Sequence, residues 1–160
     1  MLIVGIDPGY DRFGIAVIEK RSRKDSVLYS DCIQTSSRDP LAKRFITIGV
    51  ELCRVLEKYQ PNALAIETLF ITKNQKTAMR VAEARGIVIY EAAKRDIPVS
   101  EYSPVQIKAA ITSDGASGKD RVIKMVNLLV DLPQKKMLDD EYDAIAVALT
   151  HSSISKSPAK

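Results

Sequence analysis

The sequence predicts an α/β fold with a mixed five-stranded sheet, an antiparallel meander and then parallel strands, flanked by helices. Three observations predict it. Leu2–Ile6, Phe13–Ile18 and Val27–Thr35 are apolar, β-branched runs joined by short connections, the pattern of three successive antiparallel strands. Two later runs, Ala63–Ile66 and Ile97–Tyr102, each follow a long stretch with three-four apolar spacing, as a helical crossover between strands requires. Finally, 160 residues with 46% hydrophobic and 28% charged content suffice for one buried core.

In chain order, Asp7 ends the first strand and Pro8-Gly9 turns the chain into the second. Residues 20–25 are a charged connection expected to be a solvated tip. Leu41–Tyr59 is an amphipathic helix with Leu41, Phe45, Ile48, Leu52, Val55, Leu56 and Tyr59 on its buried face. Asp39 is its expected N-cap, with Pro40 at the first helical position. Ala63–Ile66 is a strand ending in Glu67, expected parallel to the first. A second long helix runs from about Gln75 to Arg95, with Ala78, Val81, Ala82, Arg85, Val88, Ile89 and Ala92 inward. Its mid-helix Gly86 costs about 1 kcal/mol relative to alanine, which close packing against the sheet or a second subunit would offset. A short helix over Val105–Ile111, a loop over Thr112–Lys119, and helices over Asp120–Val130 and Asp139–His151 complete a single domain of residues 1–151. Residues 152–160 are read as a polar tail.

Composition excludes several function classes. No apolar run approaches the ~20 residues that span a bilayer, and the chain opens on a strand without a signal-peptide pattern, so a cytoplasmic location is expected. Cys32 and Cys53 lack metal-type spacing and are read as reduced packing residues. His151 is the single histidine, and nothing around it suggests a zinc site or a Ser-His-Asp triad. The net charge of +4 and pI of about 9.0 suit a phosphate-rich partner.

The chemistry lies in carboxylates. Asp7 and Glu67 each end a buried strand, and parallel strands would set them side by side at the end where α/β sheets bind ligands. Asp140 and Asp143 share a face of the last helix, near its N-terminus; Asp139 is read as a capping residue and Glu141 as solvated surface. If that helix crosses the strand ends, four carboxylates converge. Their repulsion calls for hard divalent ions, Mg²⁺ or Mn²⁺, which take oxygen ligands. Two such ions about 3.5–4 Å apart suit in-line hydrolysis of a nucleic-acid phosphodiester.

Gly5-Ile6-Asp7-Pro8-Gly9, Ala65-Ile66-Glu67, Asn74 with Thr77-Ala78, Ala84-Arg85-Gly86, and Asp140-Glu141-Tyr142-Asp143-Ala144 with Thr150-His151 together resemble the RuvC family of Holliday junction resolvases. The resemblance runs from residue 2 to about 151. It implies a ribonuclease-H-like fold, a homodimer, a branch-migration helicase as companion, and Mg²⁺-dependent symmetric nicking of four-way DNA junctions in recombination and repair. It also implies that Asp7, Glu67, Asp140 and Asp143 are the catalytic metal ligands, and its spacing favours Asp140 over Asp139. Asp11-Arg12-Phe13-Gly14 stands where the family usually carries a Thr-Gly-Tyr-Gly-like turn, and Ala82-Glu83 where it carries Gly-Gln.

For DNA contact, the resemblance places Phe70 at an aromatic near the junction centre, where base stacking is worth about 1–3 kcal/mol. Lys73, Lys76, Arg80, Lys108 and Lys119 are candidate phosphate contacts, and Asn74 and Arg85 join them from the matching motifs. Gly115-Ala116-Ser117-Gly118-Lys119-Asp120 is not a Walker loop, because its spacing is wrong and no Ser or Thr follows the lysine. His151, about 12 Å along the helix from Asp143, is assigned a structural role. Alternatives are a catalytically silent junction-binding protein and a ribonuclease of the same fold. An actin-like phosphotransferase would need a second domain and another phosphate loop, which 160 residues do not supply.

Overall fold

The computed structural model describes residues 1–69 and 75–155. Phe70, Lys73 and Asn74, expected to meet DNA, lie outside the described residues. The elements are β1 (Leu2–Asp7), β2 (Arg12–Glu19), β3 (Asp25–Gln34), α1 (Leu41–Tyr59), β4 (Ala63–Glu67), α2 (Gln75–Ala93), β5 (Val99–Tyr102), α3 (Pro104–Thr112), α4 (Lys119–Leu129), β6 (Val130–Asp131) and α5 (Asp139–Ile154).

The strands form one mixed sheet in the order β5-β4-β1-β2-β3-β6. β1, β2 and β3 are the antiparallel meander. β4 returns through α1 to lie parallel to β1, and β5 returns through α2 to lie parallel to β4. The class matches the expectation, with one correction: there are six strands among the described residues, because β6 pairs in parallel with β3 through Val130 and Asp131. Two residues carry no periodic signal, and only their sheet neighbour defines them.

Alternation along the central strands sorts side chains between two layers. Ile3 of β1 and Ala65 of β4 pack with α3, α4 and α5 on one face. Val4, Ile6, Leu64 and Ile66 pack with α1 and α2 on the other. Gly5, between Ile3 and Asp7 on the α5 face, is there for contact: a Cβ on it would run into the Ala144 carbonyl oxygen and the Ala148 side chain. Its absence lets α5 lie directly on β1, against Ala144 and Ala148, which are fully buried.

Local departures from the expectations have physical causes. Pro40 is itself the N-cap of α1 (ψ 144°), and the Asp39 carboxylate instead accepts from Lys43 Nζ at 2.8 Å. Arg44 belongs to the buried face of α1. On α2, Ala84 is buried, whereas Ala82, Gly86 and Ile89 face outward; a Cβ on Gly86 would meet nothing within 4 Å in this chain, so its packing partner is not the sheet. The 20–25 connection is not wholly solvated, since Lys20 Nζ donates to the Ser152 and Ser155 carbonyls at 2.7 and 2.6 Å. Those bonds neutralise the C-terminal carbonyls of α5, which runs past the expected end at His151 to Ile154.

Candidate active site

Register and parity place the first two carboxylates. Gly5 pairs with Ala65 and Ile6 with Ile66, so Asp7 and Glu67 come next, at adjacent parallel strand ends. Both share the strand face of Ile3, Gly5, Ala63 and Ala65, the α5 side. The first turn of α5 crosses above them with Asp140 and Asp143. Gly14, paired with Asp7 across the meander, keeps this approach open, because a Cβ there would strike the Asp140 carbonyl.

The four carboxylates feel one another. Burial, reinforced by the charges of Glu67, Asp143 and Asp140, pushes the Asp7 carboxyl up to about 8, against a partial counter-effect of Lys119. Burial and the Asp143 charge push Glu67 up to about 7, opposed by Lys108 and Arg85. Burial also raises Asp143, although Lys119 Nζ donates to it at 3.0 Å. Lys119 lies 3.4 Å from Asp139 as well. Arg12 Nε donates to Asp140 Oδ2 at 2.8 Å, and a second guanidinium nitrogen pairs with the same oxygen.

Positioning comes from residues that sequence reasoning passed over. Arg44 donates to the Tyr10 carbonyl at 2.9 Å and to Thr35 Oγ1 at 2.8 Å, pairs with Asp11, and lies over the Tyr10 ring. It thereby fixes the turn that follows Asp7. Its i, i+4 spacing to Ile48 was the available signal. Glu141, expected at the surface, is 3% exposed. Its carboxylate accepts from Ser30 Oγ at 2.6 Å, Lys135 Nζ at 2.5 Å and the Leu138 amide at 3.0 Å. This ties the start of α5 to β3, and only the fold reveals it.

The expected DNA contacts divide. Lys108 and Lys119 line, with Glu67 and Asp143, a cleft of about 260 Å³. Asp7, Glu67 and Thr68 line a second hollow of about 140 Å³, so Glu67 borders both. Lys76 is exposed, and Arg80 pairs with Glu83 at 2.9 Å on the α2 surface. Arg85 is buried, with its guanidinium on the Glu67 backbone carbonyl and the Glu101 carboxylate, so within this chain it anchors the Glu67 backbone. His151 is away from the carboxylates and takes a 2.9 Å hydrogen bond with the Tyr102 hydroxyl. Cys32 and Cys53 are free thiols.

A mixed sheet with acidic strand ends under a crossing helix defines the ribonuclease-H-like class of nuclease. Within it, the family model "Crossover junction endodeoxyribonuclease RuvC" matches residues 3–151, and the chain belongs to that family. The crossover junction endodeoxyribonuclease RuvC of Thermosipho melanesiensis is 44% identical over 92% of this chain and 94% of its own. That of Moorella thermoacetica is 40% identical over 96% and 92%. Thermus thermophilus RuvC, solved in complex with Holliday junction substrate, superposes with a TM-score of 0.88 at 32% identity, covering 95% of this chain and 93% of that one. The yeast mitochondrial resolvase Ydc2 shares the fold, with a TM-score of 0.68 at 14% identity, over 94% of this chain and 78% of its own.

Proposed function

We propose that this chain resolves four-way DNA junctions by metal-dependent hydrolysis of backbone phosphodiesters, with Asp7, Glu67, Asp140 and Asp143 as the metal ligands. The observation that carries the reading is the convergence of four carboxylates, two from parallel strand ends and two from one helix turn, on a surface flanked by Lys108 and Lys119. The donor chemistry fits a hard divalent ion: all four donors are carboxylate oxygens, and burial together with the neighbouring carboxylates raises Asp7 and Glu67 well above the usual carboxylate range. As the side chains stand, no three acidic, histidine or cysteine groups among the described residues are gathered closely enough to hold an ion. Asp140 and Asp143 are engaged by Arg12 and Lys119 instead.

Mg²⁺ or Mn²⁺, one or two ions, would supply there a polarised water and charge neutralisation at the phosphate under attack. The protein's own part is positional. The sheet fixes Asp7 and Glu67, Arg85 and Arg44 lock the backbone beside them, and Lys108 and Lys119 offer positive charge to the incoming backbone. The water oxygen bonds to phosphorus as one P–O bond of the strand breaks, and the departing sugar oxygen leaves as a hydroxyl, its proton balancing the one the water gives up.

The reading extends to a homodimer acting on both strands of a symmetric junction, in the cytoplasm, with a branch-migration helicase as companion. Met79, Ala82, Gly86, Ile89 and Tyr90 form the outward stripe of α2 at three-four spacing, and a second copy on it would account for Gly86. The test is nicking of a labelled four-way junction beside matched duplex and RNA–DNA hybrid, with Mg²⁺ or with chelator. Paired metal-dependent cuts on opposing junction strands are expected. Cutting of the hybrid would instead indicate a ribonuclease, and binding without cuts a silent junction-binding protein.

A further inference from the structure

We propose that Arg12 is a resident counter-cation for Asp140, a positioning residue that a divalent ion must displace before Asp140 can act as its ligand. The inference rests on the metal-site reading above and goes beyond it by assigning a role to a residue at the β1–β2 turn.

The geometry is specific. Arg12 is the first residue of β2, carried by the same turn that leaves Asp7. Two of its guanidinium nitrogens converge on the single oxygen Oδ2 of Asp140. Asp140 is largely covered, with 18% of its side chain exposed, whereas Arg12 is 47% exposed and has room to withdraw. Asp11, its neighbour, is held by Arg44, so the turn stays in place while the Arg12 side chain is free to move. Arg12 has no second carboxylate partner among the described residues, and the Cys32 thiol lies against both Arg12 and Asp140.

Asp7 and Glu67 have no directly paired cation among the described residues, while each helix carboxylate does. A cation on Asp140 occupies Oδ2, one of the two oxygens an ion would use, and adds like charge against its approach. It also keeps Asp140 in one orientation until then. The gain on removing this competitor is modest, because the pair is open to solvent; about three- to fivefold in ion affinity is the scale of such partly exposed pairs.

The experiment is Mn²⁺ binding to the intact protein without DNA, read as free Mn²⁺ by electron paramagnetic resonance, for the wild type, Arg12→Ala, Arg12→Lys, Asp140→Asn and the double variant Arg12→Ala/Asp140→Asn. Circular dichroism melts verify folding of each. Arg12→Ala is expected to bind Mn²⁺ about three- to fivefold more tightly, and Arg12→Lys to fall between it and the wild type. The gain should vanish in the Asp140→Asn background. The Mg²⁺ concentration at half-maximal junction cleavage should move down in parallel in Arg12→Ala. Unchanged or weaker Mn²⁺ binding in Arg12→Ala overturns the proposal, and so does an equal gain in the Asp140→Asn background, which would mean a diffuse charge effect. Those results leave the metal site standing. Absence of Mn²⁺ binding by the wild type overturns the metal-site reading and this proposal together.

Discussion

Asp7 is the residue on which the site turns, because it is the carboxylate whose charge is most opposed by its surroundings. Asp7→Asn keeps the shape and removes the charge; junction cleavage should fall by about a thousandfold or more, the scale of several kcal/mol of transition-state stabilisation. Single-turnover assays at saturating Mg²⁺ check this, and near-normal cleavage would remove Asp7 from the ligand set. Arg85 acts one step back. Arg85→Met leaves the Glu67 carbonyl without its buried donor, which costs about 1–3 kcal/mol of stability. Cleavage should drop about ten- to a hundredfold, with junction affinity unchanged in a gel-shift assay. A large loss of affinity would instead put Arg85 at the DNA surface.

At the level of elements, α5 and β1 are one unit. Their contact through Gly5, Ala144 and Ala148 sets the height of Asp140 and Asp143 above Asp7 and Glu67. Gly5→Ala forces the pair apart, since the obstacle is the backbone of α5 and cannot rotate away; a loss of about 1–3 kcal/mol or more is expected, measured by urea denaturation. The start of α5 depends equally on Glu141. Glu141→Ala leaves the Ser30 hydroxyl and the Leu138 amide without their acceptor and Lys135 with the Ser30 carbonyl alone. It should lower the melting temperature more than Asp139→Ala, whose side chain is 63% exposed.

For the whole molecule, the carboxylate cluster makes stability depend on pH. Asp7 and Glu67 are raised above their unfolded values of 3.8 and 4.5 to about 8 and about 7. Between those limits the folded protein holds protons that the unfolded chain has released. Metal-free stability is therefore highest below about pH 4 as far as these groups are concerned, and falls as pH rises through 7 and 8. The slope is at most about 1.4 kcal/mol per pH unit per group. Denaturation in chelator at pH 6 and pH 8 should show the decline, and Asp7→Asn should flatten it; a rise with pH would contradict the cluster's electrostatics. A second copy of the chain is expected on the outer stripe of α2. Tyr90→Asp, on an exposed position, should shift sedimentation toward the monomer without changing the circular dichroism spectrum.

Much of this molecule is legible in its amino-acid order. The strand-ending carboxylates Asp7 and Glu67, the pair Asp140 and Asp143, and helix α1 from Leu41 to Tyr59 follow from local apolar period and spacing. The set of helices and central strands and the type of chemistry belong to the chain itself, because periodicity and residue type are local properties. Which charges meet is a matter of tertiary packing. It turned Glu141 inward onto Ser30 and Lys135, committed Arg85 to the Glu67 backbone, paired Arg12 with Asp140 across 128 positions, and added β6 as a sixth strand. The physical reason is that a charged side chain gives no periodic signal: its fate is set by whichever partner compensates its burial, and that partner is chosen by the fold.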